Sequence, residues 1–277
     1  MDRHEMKKAA EEIRKMTISA IAEAGYGHIG GSMSICELLA VLYGYILKID
    51  PSCPQKEDRD RLILSKGHCG PALYAALAWK GYFDRELLKT LNQNDTRLPS
   101  HCDRLKTPGV DLSTGSLGQG VSLGIGVALG CKMRGMKNHV YIIVGDGEMQ
   151  EGQVWEGIQF AAHRRLDNVV LIVDDNKRQL DGWVADICNS FDLAQKFSAF
   201  GFTVFHADGK DCGEIYDALI MAREAEKPAA VLLDTEKGQG CSFAEAADFN
   251  HYMVVDHEMA AEAIREIDRR MEEELKK

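Results

Sequence analysis

Five short apolar runs recur along the chain: Arg61–Ser65 (RLILS), Val140–Val144 (VYIIV), Val169–Asp174 (VVLIVD), Phe202–Ala207 (FTVFHA) and Ala229–Asp234 (AAVLLD). Most are continuous rather than alternating, which suits strands buried on both faces. Such strands need helices above and below them. Segments with helical spacing lie between the runs, including Cys36–Leu47, Pro71–Lys80, Gln153–Arg164 and Asp211–Glu224. Strands alternating with helices predict an α/β fold, a doubly wound and mainly parallel sheet with helices on both faces. The 277 residues suffice for one large core. Only six prolines occur, no proline- or serine-rich linker divides the chain, and no internal repeat is visible. A single domain spanning 1–277 follows, with a charged surface helix over Asp256–Lys277.

A formal charge of −10 argues against non-specific nucleic-acid binding and against attraction to an anionic membrane. The N-terminal stretch MDRHEMKKAAEEIRKM lacks the apolar core of a signal peptide. No run approaches the roughly 18 apolar residues of a membrane span. Eight cysteines are scattered without a CxxC pair, as expected of free thiols. Together these features predict a cytoplasmic protein.

The chemistry concentrates where strands end. In open α/β sheets, ligands sit beyond the carboxyl ends of the strands. GDGEMQEG (Gly145–Gly152) follows one strand and precedes a helix. Its glycines let backbone approach a ligand, and the helix N-terminus favours an anion. Asp146 would repel a bare phosphate unless a divalent cation lay between them, and Mg²⁺ commonly bridges protein and phosphate oxygens. A second oxygen is expected from the next strand end. Asn176, in VVLIVDDNKRQLDG, lies thirty residues beyond Asp146, about one β–helix–β unit.

GDG, some thirty residues and an asparagine resemble the thiamine-diphosphate fingerprint, and the fuller strings resemble transketolase. The resemblance implies a metal (Mg²⁺, or another divalent cation such as Ca²⁺ or Mn²⁺) held by Asp146, Asn176 and the backbone carbonyl of Arg178. It implies diphosphate beside the backbone of Gly147, Glu151 in the cofactor's surroundings at a subunit interface, and Leu180 in the aminopyrimidine pocket. Glu148 receives no role and is expected to be solvated. Three further strings carry the likeness: Ser19–Tyr43, Leu62–Phe83 (with SKGHCGPALYAAL) and Leu98–Gly130. They imply a diphosphate contact for His68, substrate contacts for His28 and His101, and backbone contacts to the cofactor from Gly115 and Leu117.

TEKGQGCSFAEAADFNHY resembles the segment delivering a fourth histidine, here His251, with catalytic and cofactor-binding roles. Ser100 stands before His101 where the family has glycine, and Asn250-His251-Tyr252 replaces Trp-His-Gly. Imidazoles suit ketol transfer because they accept and donate protons near neutral pH. Glycines 118, 120, 124, 126 and 130 are costly in a helix and are read as permitting tight packing near the cofactor. His4, His139, His163, His206 and His257 receive no role.

In ordinary transketolases a pyrimidine-binding domain and a C-terminal domain follow in the same chain; neither lies within these residues. The resemblance therefore implies an N-terminal subunit of a split transketolase. Such a subunit would transfer a two-carbon ketol unit from a ketose phosphate to an aldose phosphate only with a separate C-terminal subunit, in an α2β2 assembly. Other thiamine-diphosphate enzymes (deoxyxylulose-phosphate synthase-like, or a 2-oxo acid dehydrogenase α subunit) and a non-catalytic cofactor-binding subunit stand as alternatives.

Overall fold

A computed structural model describes residues 2–274. Four of the apolar runs become strands buried along most of their length: β2 (Arg61–Leu64), β3 (Val140–Gly145), β4 (Val169–Asp175) and β6 (Ala229–Asp234). With β5 (Thr203–Asp208) they form a five-stranded parallel sheet in the order β2-β3-β4-β6-β5. The run expected over Phe202–Ala207 shifts by one residue and is only partly buried. It lies at one edge of the sheet.

Side chains alternate across the sheet. Tyr141, Ile143, Ile172 and Val231 face one core, while Ile142, Val144, Leu171 and Val173 face the other. The first core is closed by α1 (Arg3–Ala24), α3 (Cys36–Val41), α4 (Gly70–Lys80) and α9 (Cys212–Arg223). The second is closed by α5 (Gln119–Met133), α6 (Gly152–His163) and α8 (Leu193–Ala199). Crossovers that run one way across the sheet use α6 and α8. The return step from β5 to β6 uses α9 on the opposite face, as a constant crossover hand requires. The doubly wound expectation therefore holds.

Cys36–Leu47 is helical only to Val41 and continues as a π-turn over Leu42–Ile46. The C-terminal helix α11 (His257–Glu274) buries Ala260, Ala263 and Ile267 against the first core and exposes its charged side; the end of the expected segment lies outside the described residues. Three helices are single turns: α2 (Gly30–Met33), α7 (Val184–Ile187) and α10 (Ser242–Glu245). One short pairing is not foreshadowed by the sequence. β1 (Tyr26–Gly27) runs antiparallel to β7 (Met253–Val254), which brings the segment before His28 beside the segment after His251. All eight cysteines are free thiols. No helix among the described residues is long and apolar enough to cross a membrane.

Candidate active site

Asp146 follows β3 and Asn176 follows β4, so neighbouring parallel strands deliver both to the same end of the sheet. Asp146 is 2% exposed. Its Oδ1 accepts the Gly147 N–H at 2.8 Å, whereas Oδ2 is buried with no partner among the described residues. Burial, and then the nearby charge of Asp174, pushes its carboxyl up to about 7. An orphaned buried carboxylate oxygen is costly unless something cationic meets it.

Asn176 is also buried. Its Nδ2 donates to Asp174 Oδ2 at 2.8 Å, and its Oδ1 accepts the Arg178 N–H at 3.1 Å. The Arg178 side chain turns away, donating to the carbonyls of Ala247 and Asp248 and lying 4.2 Å from the Trp183 ring centre. Only its carbonyl points to Lys237, whose Nζ lies 3.4 Å away. One carboxylate, one amide and one carbonyl make an oxygen donor set that fits Mg²⁺ or Mn²⁺. Among the described residues no group of three or more His, Cys, Asp or Glu side chains is placed to hold a metal, which excludes a zinc-type cluster there.

Asp174 anchors this corner from behind. It accepts from Lys66 Nζ at 2.5 Å, Ser34 Oγ at 2.8 Å, Thr235 Oγ1 at 2.6 Å and Asn176 Nδ2. Burial works against its charge, but Lys66 and these donors hold its carboxyl below the usual range. Lys66, itself buried, also donates to the Gly31 carbonyl.

The four predicted histidines converge. The His28 ring centre lies 5.4 Å from His68, 5.5 Å from His101 and 5.3 Å from His251, and His68 lies 4.8 Å from His251. The β1–β7 pair brings two of them together. Asn250 supplies the other tie: its Nδ2 donates to the carbonyls of Lys237 and Ala244, and its carbonyl accepts the Gly30 N–H. The asparagine that departs from the family string is thus a buried knot between three loops.

All four imidazoles are driven toward the neutral form. Burial and then His101 lower His28 to about 4, and burial and then Lys237 lower His251 to about 3. Burial and then Lys66 lower His68, while burial alone lowers His101. A neutral ring offers one donor and one acceptor, and His28 Nδ1 is buried without a partner among the described residues.

These parts border one cavity of about 410 Å³. Every residue assigned a cofactor, metal or substrate contact from the sequence lines it, including Gly115, Leu117, Glu151 and Leu180 at the rim. Gly147 lines it too, but its glycine has a second reason: a Cβ there would meet Gln179 Cβ at 2.7 Å.

Glu148 corrects the expectation of a solvated side chain. It is 3% exposed and accepts from Ser65 Oγ at 2.5 Å, Gly118 N at 2.8 Å and Gly145 N at 3.2 Å, tying three loops under the cavity. Lys237 is a site residue that sequence reasoning misses. It bonds Gln179 O at 2.9 Å and His251 Nδ1 at 3.2 Å, and burial followed by the Lys66 charge lowers it to about 8. Lysine in the string TEKGQG is the available signal. The glycines of α5 and of its N-cap divide. Gly118, Gly120 and Gly124 have neighbours within 3 Å of a Cβ, whereas Gly126 and Gly130 face open space and are not explained by packing.

Residues 5–269 match the family model for the transketolase thiamine diphosphate binding domain. The chain belongs to the transketolase family. Among its transketolase relatives, a 6-deoxy-6-sulfo-D-fructose transketolase subunit of Clostridium sp. (strain MSTE9) is 49% identical, covering 96% of this chain and 97% of that one. An apulose-4-phosphate transketolase subunit of Actinobacillus succinogenes is 38% identical, covering 95% and 96%. The solved transketolase of Campylobacter jejuni superposes with a TM-score of 0.91 at 30% identity, over 97% of this chain and 43% of that one. The chain thus matches separate transketolase subunits nearly end to end, and spans under half of the solved transketolase.

Proposed function

We propose that this chain is the diphosphate- and metal-binding subunit of a two-component transketolase, working with a C-terminal, pyrimidine-binding subunit in an assembly of two copies of each. The reaction is transfer of a two-carbon ketol unit from a ketose to an aldose, with a phosphate or sulfonate at the far end of the sugar. The likeness to subunits named for a sulfonated ketose and for apulose 4-phosphate supports such a donor. The observation that carries the reading is the single cavity in which four neutral histidines face an orphaned Asp146 and the Asn176–Arg178 turn.

Thiamine diphosphate, when bound, supplies the nucleophilic carbon and the electron sink for cleaving the sugar. Asp146, Asn176 and the Arg178 carbonyl would hold the Mg²⁺ that carries the diphosphate, and His68 and Lys237 would face its phosphate oxygens. Lys66 lies buried behind them and keeps Asp174, hence Asn176, in place. His28, His101 and His251 would bind sugar hydroxyls and move protons to and from them. Neutral at working pH, each can take a hydroxyl proton and return it without first being deprotonated. His28, His68 and His251 are partly buried and His101 is exposed, so a bound sugar would reach the rings from the open side of the cavity.

The test is reconstitution. The chain alone, mixed with thiamine diphosphate, Mg²⁺, fructose 6-phosphate or 6-deoxy-6-sulfofructose, and an aldose phosphate acceptor, is expected to be inactive. Adding a pyrimidine-binding partner subunit is expected to restore transfer. Full turnover by the chain alone would refute the two-component reading.

A further inference from the structure

A second, larger cleft of about 720 Å³ lies along the sheet edge and shares Asp146 with the histidine-lined cavity. Its electrostatic character is opposite. β4, β6 and β5 end in register, with Asp175 opposite Asp234 and Asp234 opposite Asp208. Strands so paired lie about 4.8 Å apart, so three carboxylates stand side by side. With Asp146, Asp192 and Glu214, six carboxylates line the cleft, against one lysine, Lys177, which bridges Asp175 and Asp234. The histidine-lined cavity has Lys66, Arg178 and Lys237 against Asp146, Glu148 and Glu151, and Glu148 is already met by three donors. One side of Asp146 is therefore strongly anionic, and the other suits a diphosphate.

We propose that the acidic cleft is the route by which the divalent cation reaches Asp146, on the side away from the cavity that takes the cofactor. Asp146, a residue 2% exposed whose Oδ2 has no partner among the described residues, lines both cavities. The cleft collects a cation without trapping it, because among the described residues no three of its carboxylates are arranged as a chelate. A low-dielectric cleft lined by one sign of charge raises the local counter-ion concentration and the association rate, in a salt-dependent way. Metal could then exchange while cofactor remains in place. The inference rests on the metal role assigned above.

The experiment follows Mn²⁺ binding by rapid mixing, with free Mn²⁺ read by electron paramagnetic resonance. It uses the reconstituted complex preloaded with thiamine diphosphate. Asp208→Asn with Asp234→Asn is expected to slow association roughly 3- to 10-fold at low ionic strength and to flatten its salt dependence. The dissociation rate should stay within about 2-fold, since neither residue touches the site where the ion rests. Ala185→Lys adds a cation to the cleft wall and is expected to slow association likewise. Asp248→Asn, in a smaller neighbouring cleft bordered by Arg178 and His251, should change nothing.

Unchanged association in both cleft variants, an equal slowing in Asp248→Asn, or no Mn²⁺ binding at all would each overturn the route. Slowed association in a complex that transfers no ketol group would leave the route standing and remove the functional reading instead.

Discussion

At the scale of single residues, Asp174 has the most to lose. It is fully buried, paired with the buried Lys66, and is the only group holding Asn176 Nδ2 among the described residues. Asp174→Asn strands the Lys66 ammonium, and breaking such a pair costs about 3–5 kcal/mol. Urea unfolding is expected to show that loss. The surviving protein should bind Mn²⁺ about 10- to 100-fold more weakly, because the second layer around a metal orients its ligands.

His28 and His251 add a pH dependence. Their folded values, about 4 and about 3, lie below the ordinary 6.5. Between these limits the unfolded chain binds more protons, so their contribution is whole above about 6.5 and is lost as pH falls toward 4 and then 3. Asp146 acts in the opposite sense, since its raised carboxyl favours the folded form at low pH. A His28→Asn, His251→Asn variant isolates the histidines: its melting temperature should fall less than that of the parent chain between pH 7 and 4.5. An equal fall in both would rule this out. Asp146 and the histidines could be read from short strings around them. Glu148 could not, because its partners Ser65 and Gly118 lie 83 and 30 residues away and nothing local marks their meeting.

At the scale of elements, α5 offers a sharp contrast. A Cβ on Gly120 would stand 2.6 Å from the Ser65 Cα, so Gly120→Ala must displace backbone that also delivers Ser65 Oγ to Glu148. Overpacking of that kind costs about 1–3 kcal/mol. Gly126 meets nothing within 4 Å, and alanine there should stabilise the isolated chain by about 0.5–1 kcal/mol through helix propensity. Denaturant midpoints of the two variants should therefore move in opposite directions; a shared direction would show that the helix is not seated as described. The central strands were legible because burial on both faces leaves an unbroken apolar run. The β1–β7 pair was not, because two residues on each side carry no period and are joined only by the fold. Lys66 reads in sequence as an ordinary surface charge until α2 and the β4 end close around it.

At the scale of the whole molecule, both cavities lie beyond the carboxyl ends of the strands; Leu117 and Leu180 are exposed on the lining of one, and Phe249 and Tyr252 are exposed beside His251 in the chain. Activity is thus expected to depend on the concentration of a second subunit, saturating as the partner is titrated in. A rate independent of added partner would contradict it.

Lys237 has a further consequence. Its ammonium already rests against the Arg178 carbonyl, the Gln179 carbonyl and His251 Nδ1. The chain carries an internal placeholder where an external ion is expected to arrive. Proteins whose ligands meet only through their metal unfold when it is stripped; this one has its own cation to keep the turn in shape. Treatment with a chelator should leave the circular dichroism spectrum of the lone chain unchanged and its melting temperature within a few degrees. It would then be a protein that can wait, folded and empty, for its metal, its cofactor and its partner.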